Sequence, residues 1–187
     1  MITAPTLHTE RLVLRPFSLE DAPEVQRFAG DRDVASTTCA IPHPYEDGMA
    51  EEWISTHQQG FDKGTGVNLA ITLKDTPKLD STILIGAIDI RIDSTDKIGE
   101  LGYWVGKPYW NSGYCTEAAK VIVNYAFDVL ELTSIHAFYL KRNSASGRVL
   151  QKIGMQFEES FPKAVEKWGV LEDLVKYSVQ NETHNSG

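Results

Sequence analysis

The sequence predicts one α/β domain, in which a mixed sheet carries helices on both faces. Three observations support this fold class. Strand and helix patterns interleave along the 187 residues, several strand patterns follow one another directly, and no linker or internal repeat divides the chain. Parallel strands need a long crossover between them, so directly consecutive strands favour a mixed sheet over a purely parallel one.

The N-terminal region predicts a strand followed by two helices. Apolar and polar residues alternate over 11–17, as in a strand with one buried face. Ser18 and Asp21 have the spacing of a capping box, so we expect a helix to begin there and to end at Gly30. A second helical pattern lies near 47–59.

The middle of the chain predicts three strands and a long helix. Strand patterns cover 67–73, 81–93 and 98–106, and a proline-containing segment at 75–80 predicts a turn between the first two. Residues 113–130 place apolar side chains at helical spacing, which predicts a helix with one buried stripe.

The C-terminal region predicts three strands and a short helix, which Gly154 ends. The elements are, in order, a strand over 134–140, a short helix within 143–154, strands over 154–160 and 172–179 around a loop at 162–169, and a frayed end at 180–187.

Composition and charge limit the classes of partner. The chain is 42% hydrophobic and 24% charged, as is ordinary for a globular domain. Its net charge of −8 argues against a nucleic-acid surface, because binding to phosphates needs clustered Lys and Arg. An anionic cofactor would therefore depend on backbone donors and a few local bases.

The expected location is the cytoplasm, with no membrane contact. The first residues lack the pattern of a signal peptide, and no apolar run approaches membrane-spanning length. Cys39 and Cys115 have no paired spacing, so we expect free thiols. The histidines lack the partner spacing of metal ligands, and no metal site is predicted.

The turn from the third central strand into the long helix is a candidate anion site. Asn111, Ser112 and Gly113 stand where the helix begins, and its first N–H groups lack partners within the helix. These groups and the helix dipole can bind a phosphate without a basic side chain, and glycine lets the phosphate approach. A tight turn alone would also explain Gly113, and neither a Walker motif nor GxGxxG is present.

Two motifs and the N-terminal segment together carry a family resemblance. The stretches YWVGKPYWNSGYCTEAAKVIVNYAF and KRNSASGRVLQKIGM, with the opening TERLVLRPFSLEDA, resemble the GNAT superfamily of acyl-CoA-dependent N-acyltransferases. Within it, the chain resembles the RimJ/RimL branch of ribosomal-protein N-terminal alanine acetyltransferases. The resemblance covers about 9–179 and implies the GNAT fold, with one domain over 1–187 and a mixed, mostly antiparallel central sheet flanked by helices on both faces.

The resemblance implies acetyl-CoA as the cofactor and places its pyrophosphate in the strand-to-helix turn. The superfamily pattern Arg/Gln-x-x-Gly-x-Gly/Ala falls on 110–115, where Trp110 replaces the usual polar residue and Cys115 the usual small one. The implied contacts are mostly main-chain amides, so these departures matter little. The residues implied to bind the cofactor here are Asn111, Ser112, Gly113, Tyr114, Cys115 and Thr116.

The resemblance also implies an acetyl site on the strand over 100–105. In similar enzymes this strand splays from the next one, here 134–140, and the pantetheine arm fills the gap. The N–H of Val105 would then bind the thioester carbonyl, with Tyr103 and Trp104 nearby, and would stabilise the oxygen as it gains charge. A plain core strand would contain the same residues.

The second motif implies the general acid. Many GNAT enzymes protonate the departing thiolate with a tyrosine, but that position is Leu150 here. The RimJ/RimL branch instead has an Asn-x-x-Ser pattern, which implies that Ser146 is the acid and that Asn143 orients the pantetheine. Helix capping by Asn143 or Ser144 would also account for these residues.

The base and the acceptor pocket have several candidates. Glu100 is the first candidate for a base, acting directly or through water, with a solvent-facing carboxylate as the alternative. The other groups considered are Asp173, Glu158 and Glu159 for holding a cation, and, for the pocket wall, Trp53 and His57 on one helix face and the segments 37–45 and 161–169.

The predicted function is acetyl transfer from acetyl-CoA to a primary amine by direct attack. The acceptor would be a protein N-terminus or a small-molecule amine, and the protein a monomer or homodimer. A covalent enzyme intermediate is not expected, because neither cysteine has a base at motif spacing. The alternatives are a non-catalytic acyl-CoA-binding module or sensor with the same fold and an unrelated nucleotide-binding α/β protein.

Overall fold

The computed structural model describes residues 4–74 and 83–181, which contain eight strands and six α-helices. The strands are β1 (Leu7–His8), β2 (Leu12–Arg15), β3 (Gly66–Leu73), β4 (Leu84–Asp93), β5 (Ile98–Val105), β6 (Ser134–Leu140), β7 (Gln156–Lys167) and β8 (Val170–Gln180). The helices are α1 (Ala22–Ala29), α2 (Arg32–Ser36), α3 (Met49–Ser55), α4 (His57–Asp62), α5 (Tyr114–Asp128) and α6 (Ser144–Lys152).

The described strands form one sheet in the order β1-β2-β3-β4-β5-β6-β8-β7. Their neighbouring pairs are antiparallel except for β5 and β6, which run parallel. The crossover between those two strands contains α5, as parallel pairing requires. The predicted mixed and mostly antiparallel sheet is confirmed.

Helices cover both faces of the sheet, and the side-chain alternation of β3 shows how. Leu69 and Ile71 are buried in the same cluster as Ile122 of α5, whereas Ala70 between them is buried with Val25 of α1. Side chains in a strand point alternately to the two faces, so α5 and α1 lie on opposite sides. The face of α5 and α6 is called the cofactor face below, and the face of α1 and α3 the acceptor face.

Most of the predicted elements occur within a few residues of their expected bounds. The capping box is also present, because the N–H of Ser18 donates to Asp21 Oδ2 at 2.9 Å. The sequence did not predict β1 and α2. The predicted turn at 75–80 and the residues 182–187 of the predicted frayed end lie outside the described residues.

Two predicted elements are wrong in part. The helix expected near 47–59 is divided into α3 and α4 at Thr56, whose hydroxyl donates to the carbonyl of Trp53 at 2.7 Å. The loop expected at 162–169 is mostly strand, because β7 and β8 continue to a two-residue turn. Trp168 and Gly169 form this turn with φ values of 53° and 79°, the geometry of tight hairpins.

No helix within 4–74 and 83–181 has the length and apolar character needed to cross a membrane.

Candidate active site

The parallel strands β5 and β6 separate soon after they begin. They pair over Ile98–Glu100 and 134–136, and no pairing follows along the rest of these two strands. Gly106 donates its N–H to the carbonyl of Ile85 at 2.8 Å on the β4 side. Because ladder groups alternate along a strand, the N–H of Val105 points away from β4, toward the gap. The gap is the splay that the resemblance implies.

A cavity of about 1130 Å³ includes this gap and reaches both faces of the sheet. Its lining contains most of the residues predicted from the sequence, and Ser112 lies beside it with its carbonyl accepting from Arg11 Nη1 at 3.0 Å. The predicted residues that line the cavity are Glu100, Tyr103, Trp104, Val105, Asn111, Gly113, Tyr114, Cys115, Thr116, Asn143 and Ser146.

The turn before α5 has the geometry of an anion site. Gly113 caps the helix with φ 81°, a left-handed conformation that favours glycine. A Cβ built at this position meets only the tip of Arg11, with Nη2 3.5 Å away, so the space in front of the helix is otherwise open. The free N–H groups of the first turn and this open space fit a pyrophosphate.

A basic side chain that the sequence did not assign lies beside the turn. Arg11 places its guanidinium over the ring of Tyr114, 4.6 Å from the centroid, and binds Glu117 through Nε at 2.7 Å. Burial opposes ionisation of Glu117, but hydrogen bonds from Thr9 and Arg11 hold its pKa below the ordinary value. The N-terminal segment is thereby fixed to the start of α5. The contact between Arg11 and Glu117 could be recognised only from the fold, because the two residues are 106 positions apart in the sequence.

Trp110 supports the gap from the side of the turn. Its indole Nε1 donates to the carbonyl of Val105 at 2.7 Å. This hydrogen bond fixes the end of β5 relative to the loop that follows it. It also occupies the carbonyl of Val105, whose N–H faces the gap. The departure of Trp110 from the superfamily pattern thus has a structural role.

The predicted acid Ser146 lies on the cofactor face with an unexpected partner. Its Oγ is 2.8 Å from the hydroxyl of Tyr103, which reaches it from β5. Burial raises the pKa of Tyr103, so the phenol stays protonated and can donate. Leu150 is fully buried in the core, as expected of a residue that has replaced the usual acid.

Asn143 connects α6 to the segment that covers the cavity. Its Oδ1 accepts from the N–H of Ser146 at 3.3 Å, which confirms the capping role. Its Nδ2 donates to the carbonyl of Thr37 at 3.1 Å. One side chain therefore fixes both the start of α6 and the loop above it, and the orientation of pantetheine by Asn143 stays a prediction.

Alternation along β5 separates the candidate acid from the candidate base. Tyr103 and Val105 pack with the cluster of the cofactor face, and Trp104 packs with that of the acceptor face. Glu100 has the same parity as Trp104 and therefore points to the acceptor face. The candidate proton donor and the candidate proton acceptor thus lie on opposite faces of the sheet, with the gap between them.

The carboxylate of Glu100 lies close to two side chains, those of Arg91 and His136. It accepts from Arg91 Nη2 at 2.6 Å, and its other oxygen lies 3.6 Å from His136 Nε2. The nearby His136, with the charge of Arg91, holds the pKa of Glu100 below its ordinary value despite some burial. Such a carboxylate is a weak base.

Asp89, which the sequence analysis did not assign, lies next to this pair. Its Oδ2 is 3.6 Å from Arg91 Nε, and burial raises its pKa to about 6. In the sequence, Asp89 was recognisable as a carboxylate within the apolar stretch LIGAIDI, which is typical of a strand inside a sheet. Its neighbours come from other strands, so its role could not be read from the chain alone.

The acceptor-face wall includes the two residues predicted for it. Trp53 and His57 pack edge to face with ring centroids 4.4 Å apart, and both line the cavity. The two ring nitrogens of His57 are buried without a hydrogen-bond partner among the described residues, and burial lowers its pKa to about 4. The imidazole is therefore neutral at physiological pH.

Most of the other groups predicted for the acceptor side lie outside the cavity lining. The segment 37–45 does contribute to the lining, but 161–169 only supports it, through the bond from Lys167 Nζ to the carbonyl of Ile41 at 2.6 Å. Asp173 pairs with Lys141 and Glu158 with Lys176, and neither these nor Glu159 lines the cavity.

Cys115 lines the cavity but has the chemistry of a buried thiol. Burial raises its pKa to about 12, which keeps the sulfur protonated and poorly nucleophilic. Cys39 is also a free cysteine, as predicted. These thiols agree with direct attack on the thioester rather than with a covalent enzyme intermediate.

Comparison with known proteins gives a consistent result. A family model described as an acetyltransferase (GNAT) domain matches residues 11–156. The uncharacterized N-acetyltransferase YnaD of Bacillus subtilis is 31% identical, over 95% of this chain and 98% of the relative. FsC-acetyl coenzyme A-N(2)-transacetylase of Aspergillus fumigatus is 28% identical, over 95% of this chain and 77% of the relative.

A solved structure shows the same fold. The ribosomal-protein-S5-alanine acetyltransferase of Vibrio fischeri superposes with a TM-score of 0.82 at 19% identity, covering 95% of this chain and 97% of the other. With the family match, this similarity confirms the GNAT fold that the two motifs implied.

Proposed function

The chain belongs to the GNAT family of acetyltransferases, which use acetyl-CoA, and we propose that it transfers the acetyl group to a primary amine by direct attack. The narrower proposal concerns the roles of individual residues and the nature of the amine. The residue roles follow from the cavity at the gap between β5 and β6, and the nature of the amine follows from its basicity and from the family resemblance.

The residues around the turn and the gap would hold the cofactor. The amides of 112–116 would bind the pyrophosphate, Asn143 would orient the pantetheine, and the N–H of Val105 would bind the thioester carbonyl. Bound acetyl-CoA supplies an activated acetyl group and a thiolate leaving group. The open space in front of Gly113 and the separation of β5 from β6 support this placement.

The side chains on the two faces would complete the transfer. The N–H of Val105 stabilises the carbonyl oxygen as it gains charge during attack by the amine. Ser146, supplied with a proton by Tyr103, protonates the sulfur as the C–S bond breaks and the C–N bond forms. Glu100 lies on the acceptor face, where it can receive the amine proton through water.

The acceptor we propose is a protein N-terminal α-amine or a small-molecule amine. An α-amine with a pKa of about 8 is partly neutral at physiological pH, whereas a lysine amine of about 10.4 needs more help from a base. The resemblance to the RimJ/RimL branch favours a protein N-terminus.

The observation that supports an enzyme most strongly is the 2.8 Å contact between Tyr103 and Ser146 at the gap. A module that only binds acyl-CoA needs the anion site and the splayed strands, but it does not need a proton donor beside the thioester sulfur. The pair therefore favours catalysis over simple binding.

The test is release of free thiol from acetyl-CoA in the presence of an amine panel. The panel should contain peptides with different N-terminal residues, amino acids, polyamines and amine-containing drugs. We expect acceptor-dependent release with at least one amine. Tight binding of CoA with no such release would support the sensor, and thermal stabilisation by ATP but not by CoA would support a nucleotide-binding protein.

A further inference from the structure

We propose that Asp89 is the group that accepts the proton of the attacking amine, through water, and that Arg91 and Glu100 position its carboxylate. This role rests on the proposed function and names the base of the same site. It also changes the role expected of Glu100, from a base to a residue that acts through another.

Strand register places Asp89 in the centre of the acceptor face. Asp89 pairs with Asn68 on β3 and with Gly102 on β5, so the three residues form one row across neighbouring strands. Side chains of paired residues point to the same face. Asp89 is surrounded by sheet on both sides, yet 26% of its side-chain surface remains exposed, and the residue lines the cavity.

Gly102 provides the space that the carboxylate of Asp89 occupies. A Cβ built on Gly102 would lie 2.6 Å from Asp89 Oδ1, closer than any side chain tolerates. The carboxylate therefore lies over the backbone of β5, the strand that carries the acetyl site. A residue other than glycine at 102 would displace it.

Strand register also gives the distances of the two carboxylates, Asp89 and Glu100, from the acetyl site, and these distances favour Asp89 as the base. Gly102 is three residues before Val105, whereas Glu100 is five residues before it on the same strand. At a rise of about 3.4 Å per residue, Asp89 is nearer to the acetyl site by about 7 Å along the strand. The remaining distance of about 10 Å along the strand corresponds to a short chain of waters in the cavity.

The contacts of the two carboxylates also favour Asp89 as the base. Both oxygens of Glu100 face partners, Arg91 at 2.6 Å and His136 at 3.6 Å. Among the described residues, the cationic group beside Asp89 is Arg91 at 3.6 Å, a longer contact that leaves the carboxylate able to bind a proton.

The electrostatics of the cavity agree with this assignment. Burial raises the pKa of Asp89 to about 6, with Arg91 opposing the rise and Glu100 adding to it. A carboxylate with this pKa is mostly ionised at neutral pH and is a stronger base than an ordinary aspartate. The other titratable residues on this side are Cys39, Tyr45, Glu52, His57 and Tyr109 in the lining, Lys167 behind the segment 37–45 and His136 behind Glu100.

The proton balance is complete within the site. The amine loses one proton to Asp89 as the C–N bond forms, and the sulfur gains one from Ser146 as the C–S bond breaks. Asp89 then releases its proton to solvent through the open cavity, and Ser146 is reprotonated through Tyr103, which lines the same cavity and regains its proton from solvent.

The experiment compares Asp89→Asn with Asp93→Asn, a matched control on the same strand. Asp93 has the same parity as Asp89 but is exposed and does not line the cavity. The acceptor is the panel amine with the highest wild-type turnover. We expect kcat to fall about 100-fold in Asp89→Asn and to stay near wild type in Asp93→Asn, with CoA affinity unchanged in both.

Two further readouts exclude a merely structural role. The wild-type kcat should fall below pH of about 6, and this acid limb should be absent from Asp89→Asn but present in Glu100→Gln. Gly102→Ala, which keeps the carboxylate but displaces it, should reproduce part of the loss.

The outcomes separate this proposal from the proposed function. Wild-type turnover with an unchanged profile in Asp89→Asn, or loss of the acid limb in Glu100→Gln alone, would overturn the assignment of Asp89 and leave the acetyltransferase intact. Absence of turnover by the wild type with every amine, despite CoA binding, would overturn the proposed function and this assignment together.

Discussion

Tyr103 and Ser146 illustrate how burial sets the role of a single residue. A serine hydroxyl is by itself a poor acid, but here it contacts a phenol whose pKa is raised by burial. The phenol therefore stays neutral at physiological pH, and in the proposed mechanism it would relay a proton to Ser146 rather than end as a phenolate. In the proposed mechanism, Ser146 and Tyr103 together would protonate the departing thiolate, as a single tyrosine at the position of Leu150 would do.

Removal of this pair should affect turnover more than cofactor binding. Ser146→Ala is expected to lower kcat about tenfold, a modest loss because a thiolate with a pKa near 8.5 leaves readily. Tyr103→Phe should lower it by a smaller factor, because Ser146 can then be reprotonated by water. Thiol-release kinetics and calorimetric titration with CoA measure the two quantities. An unchanged kcat in Ser146→Ala would remove Ser146 from the acid role.

The raised pKa of Asp89 has a consequence for stability. The unfolded aspartate has a pKa near 3.9, so the folded protein binds the extra proton between about pH 4 and pH 6. The stability that this proton provides is present below about pH 4 and is lost as the pH rises through about 6. Asp89→Asn, which cannot ionise, should therefore raise the melting temperature at pH 7.5 more than at pH 4.5.

Thermal unfolding of both proteins at the two pH values checks this sign. Asp93→Asn serves again as the control, because Asp93 is exposed. An equal shift at pH 4.5 and 7.5 would mean that the pKa of Asp89 is not raised in the folded protein.

At the scale of elements, the start of α5 and the gap between β5 and β6 define the site. The helix start was predictable, because Gly113 and the helix that follows are local features. The gap was implied only through the resemblance, and the pairs Arg11–Glu117, Tyr103–Ser146 and Asp89–Gly102 were not predicted. Each joins residues that are distant in sequence, so it depends on strand register and helix packing, which no local pattern contains.

Errors of element prediction have similar causes. The strands β7 and β8 extend farther than expected because the turn at Trp168 and Gly169 needs only two residues. The proline of that segment, Pro162, lies where the register shifts between Phe161 and Val165 on an edge strand, a place that tolerates it. A proline therefore marked an irregularity in a strand rather than a loop.

The helix start can be tested with a matched pair of glycines. Gly113 and Gly154 both have positive φ, at 81° and 90°, and both face open space, but Gly154 does not line the cavity. A glutamate at either position causes similar backbone strain. Gly113→Glu should weaken CoA binding by about tenfold or more, because it adds negative charge at the anion site, and Gly154→Glu should not.

Calorimetric titration of the two variants gives the result. Near-normal CoA affinity in Gly113→Glu would contradict the anion site, and an equal loss in both variants would indicate strain rather than charge.

At the scale of the whole molecule, the sheet divides the chemistry into two halves. The cofactor face carries the proposed anion site and the proposed proton donor, and the acceptor face carries the carboxylates Asp89 and Glu100 and the aromatic side chain of Trp53. The net charge of −8 suits a cationic or neutral amine, whereas we expect the anionic cofactor to be bound by main-chain donors at the start of α5.

Ligand binding should stabilise the whole fold. A ligand at 100 times its Kd adds about 2.7 kcal/mol to the free energy of unfolding. For a chain of this size, each kcal/mol raises the melting temperature by about 2–4 °C, so acetyl-CoA should raise it by about 5–10 °C. The same concentration of ATP should have little effect, and Gly113→Glu should lose most of the stabilisation by acetyl-CoA. Stabilisation by ATP alone would favour the nucleotide-binding alternative.

A crystal structure of the complex with acetyl-CoA tests the central claim most directly. We predict that the pyrophosphate contacts the amides of 112–116, that the pantetheine fills the gap between β5 and β6, and that the thioester oxygen accepts from Val105 N–H. Density for the diphosphate elsewhere, or a thioester outside the gap, would contradict the account.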